Sequence, residues 1–472
     1  MRKFRKDHKG KALLLALSFA LLTGCGTSGT GSDPGATDAA GTAGTAATAA
    51  DTSAATTAVP SDDTASDTEE PVSPGTESGS TESGTTESDT GQSGMLPSVS
   101  IPELKMEGHA IPDTEAFDYV RDLKIGVSLG NTFDAYNDTS LKDEMDAETT
   151  WCGIKTTEQM IKDFHAAGFE TIRIPVSWHN HIVDDDCTIS EEWMNRVNTV
   201  VDWAIKDGMY VILNIHHDNH EEAKGFYPDR AHQAQSEKYI RRIWEQLAER
   251  YKDYDDHLIF EAMNEPRLVG HQYEWWFPAG DADVAESVAC INELNQLFVN
   301  TVRASGGNNA TRYLMCPGYD ASADGALHTD YKLPEEPADY TGMVSHILVS
   351  VHAYTPYSFA LDLNGTSYFS IDRANGTGDI DAFMSKLYQK FIVKGTPVVI
   401  GEFGAVDKDK NLQERVDFAA YYVAKARSYG MTALWWDNNA FSGNGESLGL
   451  YYRRGGYFIY EDIVKALMLN CY

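Results

Sequence analysis

The chain has 472 residues, a formal net charge of −33 at pH 7 and an aromatic content of 11%. So acidic a balance argues against nucleic acid as a partner and disfavours acidic polymers such as pectin, because like charges repel; a neutral polymer is not penalised. Six cysteines occur without any CxxC spacing, which argues against a zinc site or a thioredoxin-like redox motif.

Residues 1–24 read as a lipoprotein-type signal peptide. Arg2, Lys3, Arg5, Lys6, Lys9 and Lys11 form a basic head, and the apolar run over residues 12–22 is too short to span a bilayer as a stable helix. The small residues before Cys25 resemble a lipobox, making Cys25 the expected lipidation site; the plainer alternative is a signal peptide cut nearby with no lipid. Either way the protein is expected to be exported, and with a lipid it would sit at the cell surface. Residues 25–98 are built mostly from Thr, Ser, Gly, Ala, Pro, Asp and Glu. They carry too little apolar surface to offset ordering entropy, so a disordered, extended spacer is expected.

Residues 99–472 hold essentially all the aromatics and fit one α/β domain. Short apolar runs predict strands over 125–129, 171–176, 210–215, 258–263, 313–316, 346–351, 398–400 and 433–435. Segments of helical period lie between them at 157–167, 191–206, 237–251, 284–304, 380–391 and 412–429. Ser190 is a good N-cap before Glu191-Glu192, and Gly208 and Gly430 are helix stops. Eight strands with interleaved helices predict a (β/α)8 barrel rather than an open doubly wound sheet; only six crossover helices are clear, so closure at eight is inferred. Apart from Cys25, the cysteines are Cys152, Cys187, Cys290, Cys316 and Cys471, enough for at most two disulfides.

Polar residues collect where the strands end. Gly130-Asn131-Thr132 follows the first strand, Trp178-His179 the second, and His216-His217-Asp218-Asn219-His220 the third. Asn264-Glu265-Pro266 follows the fourth, His352-Ala353-Tyr354 the sixth, Glu402-Phe403-Gly404 the seventh and Trp436-Asp437-Asn438 the eighth. The C-terminal rim is where barrels of this kind build active sites. Breaking an acetal takes one acid to protonate the leaving oxygen and one carboxylate to stabilise or capture the oxocarbenium ion. Glu265 and Glu402, each just after an apolar strand core, are the candidates. Glu261 is a rival on the same strand as Glu265, but its deeper position suits a structural role; Glu221 and Glu222 fall in a polar loop.

The stretch Phe260-Glu261 followed by Asn264-Glu265-Pro266, with Gly401-Glu402-Phe403-Gly404 later, resembles the signature of glycoside hydrolase family 5, the large cellulase family. Ile172-Arg173-Ile174-Pro175-Val176, Ile215-His216-His217, Val351-His352-Ala353-Tyr354 and Trp435-Trp436-Asp437-Asn438 match its other strand-end motifs in order. The segment from Gly126 to Asp134 is similar to the opening of subfamily 4, except that Val127-Ser128 stands where the family usually shows Trp-Asn. The resemblance implies a retaining endo-β-1,4-glucanase, with Glu265 as general acid/base and Glu402 as nucleophile. It further implies that Arg173 bonds the nucleophile and keeps it ionised, that Asn264 binds the sugar 2-hydroxyl, and that Tyr354 lies beside the nucleophile. His216 and His352 would bond around the reacting sugar and Trp436 would stack beneath it, Trp435 being the alternative stacking ring.

Other readings stand beside this one. The histidine cluster at 216–220 invites a catalytic metal, but no matching cluster appears on other strands and two glutamates need none, so neither metal nor cofactor is called for. His217 is then a second sugar contact or a packing residue. Of the aromatics in loops and insertions, Trp151, Trp178, Trp275, Trp276 and Tyr319, the expected sugar platforms are Trp178 and Tyr319, nearest the rim, and Asn131 is expected at the rim as well. The substrate is expected to be a β-linked glucan cut by a monomer. Lichenase, xyloglucanase, xylanase and mannanase are the alternatives within the family. A surface carbohydrate-binding lipoprotein without catalysis is the alternative outside it, disfavoured because binding needs no acid/base pair.

Overall fold

The computed structural model describes residues 99–472 other than 137–140, 142, 223, 279, 373 and 444. The predicted signal peptide, Cys25 and the spacer lie outside the described residues. Eight parallel strands close into a barrel: β1 (Ile125–Leu129), β2 (Thr171–Ile174), β3 (Tyr210–Asn214), β4 (Leu258–Glu261), β5 (Leu314–Ser322), β6 (Ile347–His352), β7 (Val398–Phe403) and β8 (Thr432–Asp437). Closure is direct, because β8 pairs with β1 from Ile125 opposite Ala433 to Leu129 opposite Asp437.

Side-chain alternation along each strand divides the apolar residues between two cores. Val127, Val211, Leu213, Phe260, Val349, Val351, Ile400 and Ala433 face the surrounding helices. Ile212, Ile259, Met315, Leu348, Val399 and Leu434 fill the barrel itself. Fully burying such a side chain contributes about 1.5–3 kcal/mol. The lower end of this inner core is packed by α1 (Glu115–Asp122), a short helix where the sequence reading places no element; it supplies Ala116, Tyr119 and Val120, followed by Leu123. The barrel is therefore apolar at the bottom, and its polar inward residues sit above, at the C-terminal ends of the strands.

The six predicted helices are present as α2 (Glu158–Ala166), α3 (Glu191–Asp207), α4 (Gln233–Arg250), α5 (Ala282–Ala304), α8 (Ala374–Lys390) and α9 (Leu412–Ser428). Between α5 and α8 come two short helices, α6 (Ala323–Leu327) and α7 (Tyr357–Ala360), and α10 (Glu461–Asn470) packs on α9 near the end of the chain. Ser190 Oγ accepts the Trp193 N–H at the start of α3, and Gly208 closes that helix at φ +92°, a left-handed conformation that favours glycine. Cys152, Cys187, Cys290, Cys316 and Cys471 are all unpaired.

Candidate active site

The upper inside of the barrel is organised around one buried arginine. Arg173, on β2, donates from Nε to Glu261 Oε2 at 2.8 Å, from Nη1 to Glu402 Oε1 at 2.6 Å and from Nη2 to Asn264 Oδ1 at 2.7 Å. Acceptors from β4, the segment just past it and β7 thus converge on one planar fork from β2, a geometry the lysine ammonium cannot copy. Glu261 also accepts Asn214 Nδ2 at 3.0 Å and Ser350 Oγ at 2.6 Å. Burial pushes the Glu261 carboxyl up, but Arg173, His352 and Ser350 outweigh it and hold the pKa at about 2. It is a permanently charged counter-ion beneath the site, in line with the structural role expected from its depth.

Glu402 reaches the site through an irregularity in β7. Val351 pairs with Ile400, yet the next residue, His352, pairs with Glu402, so β7 carries one extra residue there. Strict alternation would turn Glu402 outward with Glu402's i−2 neighbour Ile400; the bulge re-aims it inward beside Gly401. Gly401 is required by close approach, since a Cβ there would stand 3.0 Å from His352 Nε2 and 3.4 Å from Glu261 Oε1.

Glu402 Oε2 accepts the Tyr354 hydroxyl at 2.9 Å. Glu265, just past β4, accepts His352 Nδ1–H on Oε1 at 2.8 Å, and the same nitrogen is 3.7 Å from Glu402 Oε1. One oxygen of Glu265, one of Glu402 and one His352 nitrogen all lie within 4.8 Å of one another. Burial alone would drive His352 down, but the Glu402 charge and the hydrogen bonds to Glu261 and Glu265 raise it to about 10, so it is cationic at neutral pH. Burial pushes the Glu402 carboxyl up as well, and the Glu265 charge adds to this; His352, Arg173 and Tyr354 pull it back without reversing it. Arg173 favours the ionised form, but desolvation is the larger effect.

His216 is buried and its ring lies parallel to that of Trp436, with centroids 5.6 Å apart. Burial, then the neighbouring His217 and Arg173, hold its pKa well below 6.5, so it is neutral. His217 is half-buried among aromatic rings, 5.4 Å from Tyr136 and 5.6 Å from Trp151. Asp134, His216 and His217 each bring a ligand-type atom within 4.8 Å of the others, but both Asp134 oxygens already accept backbone N–H groups, from Asn131 and Thr132. The two tryptophans of β8 part company. Trp435 faces the helices and donates Nε1–H to Leu448 O at 2.9 Å, whereas Trp436 packs with Tyr354 on the site side.

Two expectations are corrected. Trp178 is fully buried, its indole N–H donated to Asn214 O at 2.9 Å, so its ring is a core element and no platform. Tyr319 is also fully buried; its hydroxyl donates to Tyr273 O at 2.8 Å and accepts the Leu268 N–H at 3.2 Å. Nearness in sequence to a strand end does not decide exposure, because a large ring there can equally well turn back under the loop. Asn131 sits at φ +56° in the turn after β1, half-buried, its backbone N–H bonded to Asp134, and joins none of the bonds around the two glutamates.

Several contributors carry no motif. Asn214 and Ser350 are ordinary polar residues at inward strand positions, detectable only from alternation. Asp320, at the end of β5, is buried with Oδ1 unpartnered; burial, then the Glu265 charge, push its pKa well above 3.8. Arg267 stands two residues past Glu265, buried, with Nη1 donating to the Glu265 carbonyl at 3.0 Å. Ser128, at the family's usual asparagine position, is buried opposite Arg173 and Trp436 in register, with Oγ unpartnered.

Comparison with known proteins agrees with this geometry. A family model described as cellulase, glycosyl hydrolase family 5, matches residues 134–442. Cellulase/esterase CelE of Acetivibrio thermocellus is 40% identical over 78% of this chain; the chain spans only 41% of that relative's length. Endoglucanase B of Neocallimastix patriciarum is 40% identical over 76% of this chain and 72% of its own. Among solved structures, a GH5 family lichenase from Caldicellulosiruptor sp. F32 is 51% identical, with a TM-score of 0.77 over 79% of this chain and all of the other. A GH5-4 broad specificity endoglucanase from Ruminococcus champanellensis with bound cellotriose is 39% identical, with a TM-score of 0.69 over 76% of this chain and all of the other. A buried carboxylate pair at the mouth of an eight-stranded barrel, under a family model covering most of the barrel, has one consequence: the chain belongs to glycosyl hydrolase family 5, the cellulase family, and is a glycoside hydrolase.

Proposed function

We propose that this protein is a retaining endo-β-1,4-glucanase acting on cellulose-type and mixed-linkage β-glucan. The observation that carries the reading is the approach of a Glu265 oxygen to a Glu402 oxygen within 4.8 Å. Retaining glycosidases hold their carboxyls about 5–5.5 Å apart, and inverting ones about 6.5–9.5 Å, to leave room for a water.

In the first step a Glu402 oxygen attacks C1 of the sugar as Glu265 gives its proton to the glycosidic oxygen, which departs with its chain. In the second, Glu265 takes a proton from water, the resulting hydroxide bonds to C1, and the Glu402 ester bond breaks with both electrons returning to the carboxylate. Arg173 and Tyr354 hold Glu402 in line without competing for the proton. Asn264, its Oδ1 occupied by Arg173, offers its Nδ2 to the 2-hydroxyl, and Trp436 beside His216 gives the ring an apolar face to rest on.

Mixed-linkage glucan enters the proposal because the lichenase neighbour is 51% identical across nearly the whole barrel. Export and a lipid on Cys25 belong to the same reading, resting on the basic head, apolar run and lipobox-like residues of the sequence. Glu265→Gln and Glu402→Gln, assayed on a panel of soluble polysaccharides, test the mechanism. Each is expected to lose at least about 10³-fold in rate on natural polymer. Near-normal turnover by either moves the chemistry to other residues.

A further inference from the structure

The two oxygens of Glu265 are served by different cations. Oε1 takes the His352 Nδ1–H at 2.8 Å, whereas Oε2 faces Arg267 Nη1 at 3.8 Å. Arg267 is itself held on three sides. Its Nε donates to Glu274 Oε1 at 3.2 Å, its guanidinium lies 3.8 Å over the Trp275 ring, and its Nη1 also donates to the Glu265 carbonyl at 3.0 Å. Glu274 is tied in turn by Oε2 to the Gly270 N–H at 2.8 Å. The backbone between them is pinned from the neighbouring strands: the Asp320 N–H donates to Pro266 O at 2.8 Å, and Asn219 Nδ2 to Arg267 O at 2.9 Å.

The Glu274 and Trp275 contacts already anchor the outer side of this arginine in its loop, and it is the Nη1 edge that returns to Glu265. Placing a buried guanidinium there is costly unless its contacts are used, and the inner edge of this one meets both the backbone and the carboxyl of Glu265. We infer that Arg267 is the positioning residue for Glu265, holding its carbonyl and the Oε2 side while His352 holds Oε1, so that the carboxyl keeps its orientation toward the glycosidic bond. This rests on the reading of Glu265 as acid/base. Arg267 touches no reacting atom, so its removal should impair proton delivery to the leaving group and spare reactions that need none.

The test compares kcat/KM on soluble β-glucan with kcat/KM on an aryl β-cellobioside whose strongly acidic phenol leaves unaided. Arg267→Met is expected to lose about 10- to 100-fold on polymer and less than about threefold on the aryl substrate, with Arg267→Lys recovering part of the polymer loss. Equal losses on both substrates, or none on polymer, overturn the inference. Should Arg267→Met not fold, Glu274→Gln carries the same comparison, since it frees the guanidinium's outer edge; the same split is expected, smaller, and equal or absent losses again overturn it. Glu265→Ala serves as reference. If it shows the leaving-group split and the Arg267 variants do not, only the positioning role falls; if Glu265→Ala keeps wild-type polymer turnover, the acid/base reading itself falls.

Discussion

Arg173 Nη1 donates to Glu402 Oε1 at 2.6 Å while the same guanidinium holds Glu261 and Asn264, so the proposed nucleophile, the arginine's own buried counter-ion and the proposed 2-hydroxyl ligand share one rigid fork. Arg173→Lys keeps a charge but loses the fork. It is expected to fold and to lose about 10²–10³-fold in kcat, the size of effect seen when one preorganised donor is removed. Arg173→Met takes from buried Glu261 its closest cation, leaving it only His352 and two neutral donors, and unfolding in urea should show the variant about 3 kcal/mol less stable. Wild-type kinetics in Arg173→Lys would detach the arginine from the chemistry.

The bulge in β7 makes a sharper prediction about a residue with no side chain. A Cβ on Gly401 must push His352 or Glu261 by a few tenths of an ångström. Gly401→Ala should therefore lose about 10- to 100-fold in kcat through misalignment alone, with a small fall in unfolding midpoint. Steady-state kinetics beside a thermal melt separates the two effects; full activity would show the clearance is not needed.

The pH dependence follows from the direction of the Glu402 shift. Burial, reinforced by Glu265, raises the carboxyl above 4.5, and the attack needs the ionised form. As pH falls through the raised pKa the carboxylate takes a proton, so the acidic limb of kcat/KM should inflect above 4.5. Tyr354→Phe removes a donor that favours the charged form, and should move this limb to still higher pH. A limb at or below 4.5 in the wild type, or a Tyr354→Phe limb shifted down, contradicts this electrostatic account.

Much of this site is legible in the sequence, and the exceptions have physical causes. The strands show as apolar runs because both of their faces are buried, and Glu265, Glu402, Arg173, His352 and Tyr354 lie at or beside their ends, where the motifs sit. Alternation alone would aim Glu402 away from the pocket, so the bulge is visible only in three dimensions. Trp178 and Tyr319 lie buried rather than in the cleft, because position after a strand says nothing about whether a ring turns to solvent or under its loop. Asp134, Asp218 and Asp437 belong to the same strand-end ring, yet all accept backbone N–H groups and fix the loops. Arg267 forms its contacts with residues two, seven and eight positions away through a folded loop, a pattern without periodicity. The short α1 announces itself weakly, since its apolar face reads as helix only once a barrel floor exists to receive it.

Trp178 and Trp436 offer a paired test of that distinction. Trp178→Phe leaves Asn214 O without its donor, and should cost about 1–3 kcal/mol of stability while KM for polymer stays within about twofold. Trp436→Ala should instead raise KM or lower kcat, because its ring is the proposed resting face for the sugar. Stability measured in urea and kinetics on soluble β-glucan decide both; a Trp178→Phe variant with intact stability and weakened substrate binding would return that ring to the cleft.

The most direct measurement is covalent. A 2-deoxy-2-fluoro-β-cellobioside with an activated leaving group slows the second step more than the first, so the glycosyl-enzyme should accumulate and be found by peptide mass spectrometry. The label is predicted on the peptide containing Glu402, on that carboxyl, with none formed by Glu402→Gln. A label on any other residue, or an α-anomer as the first product released from β-glucan by the wild type, contradicts the account.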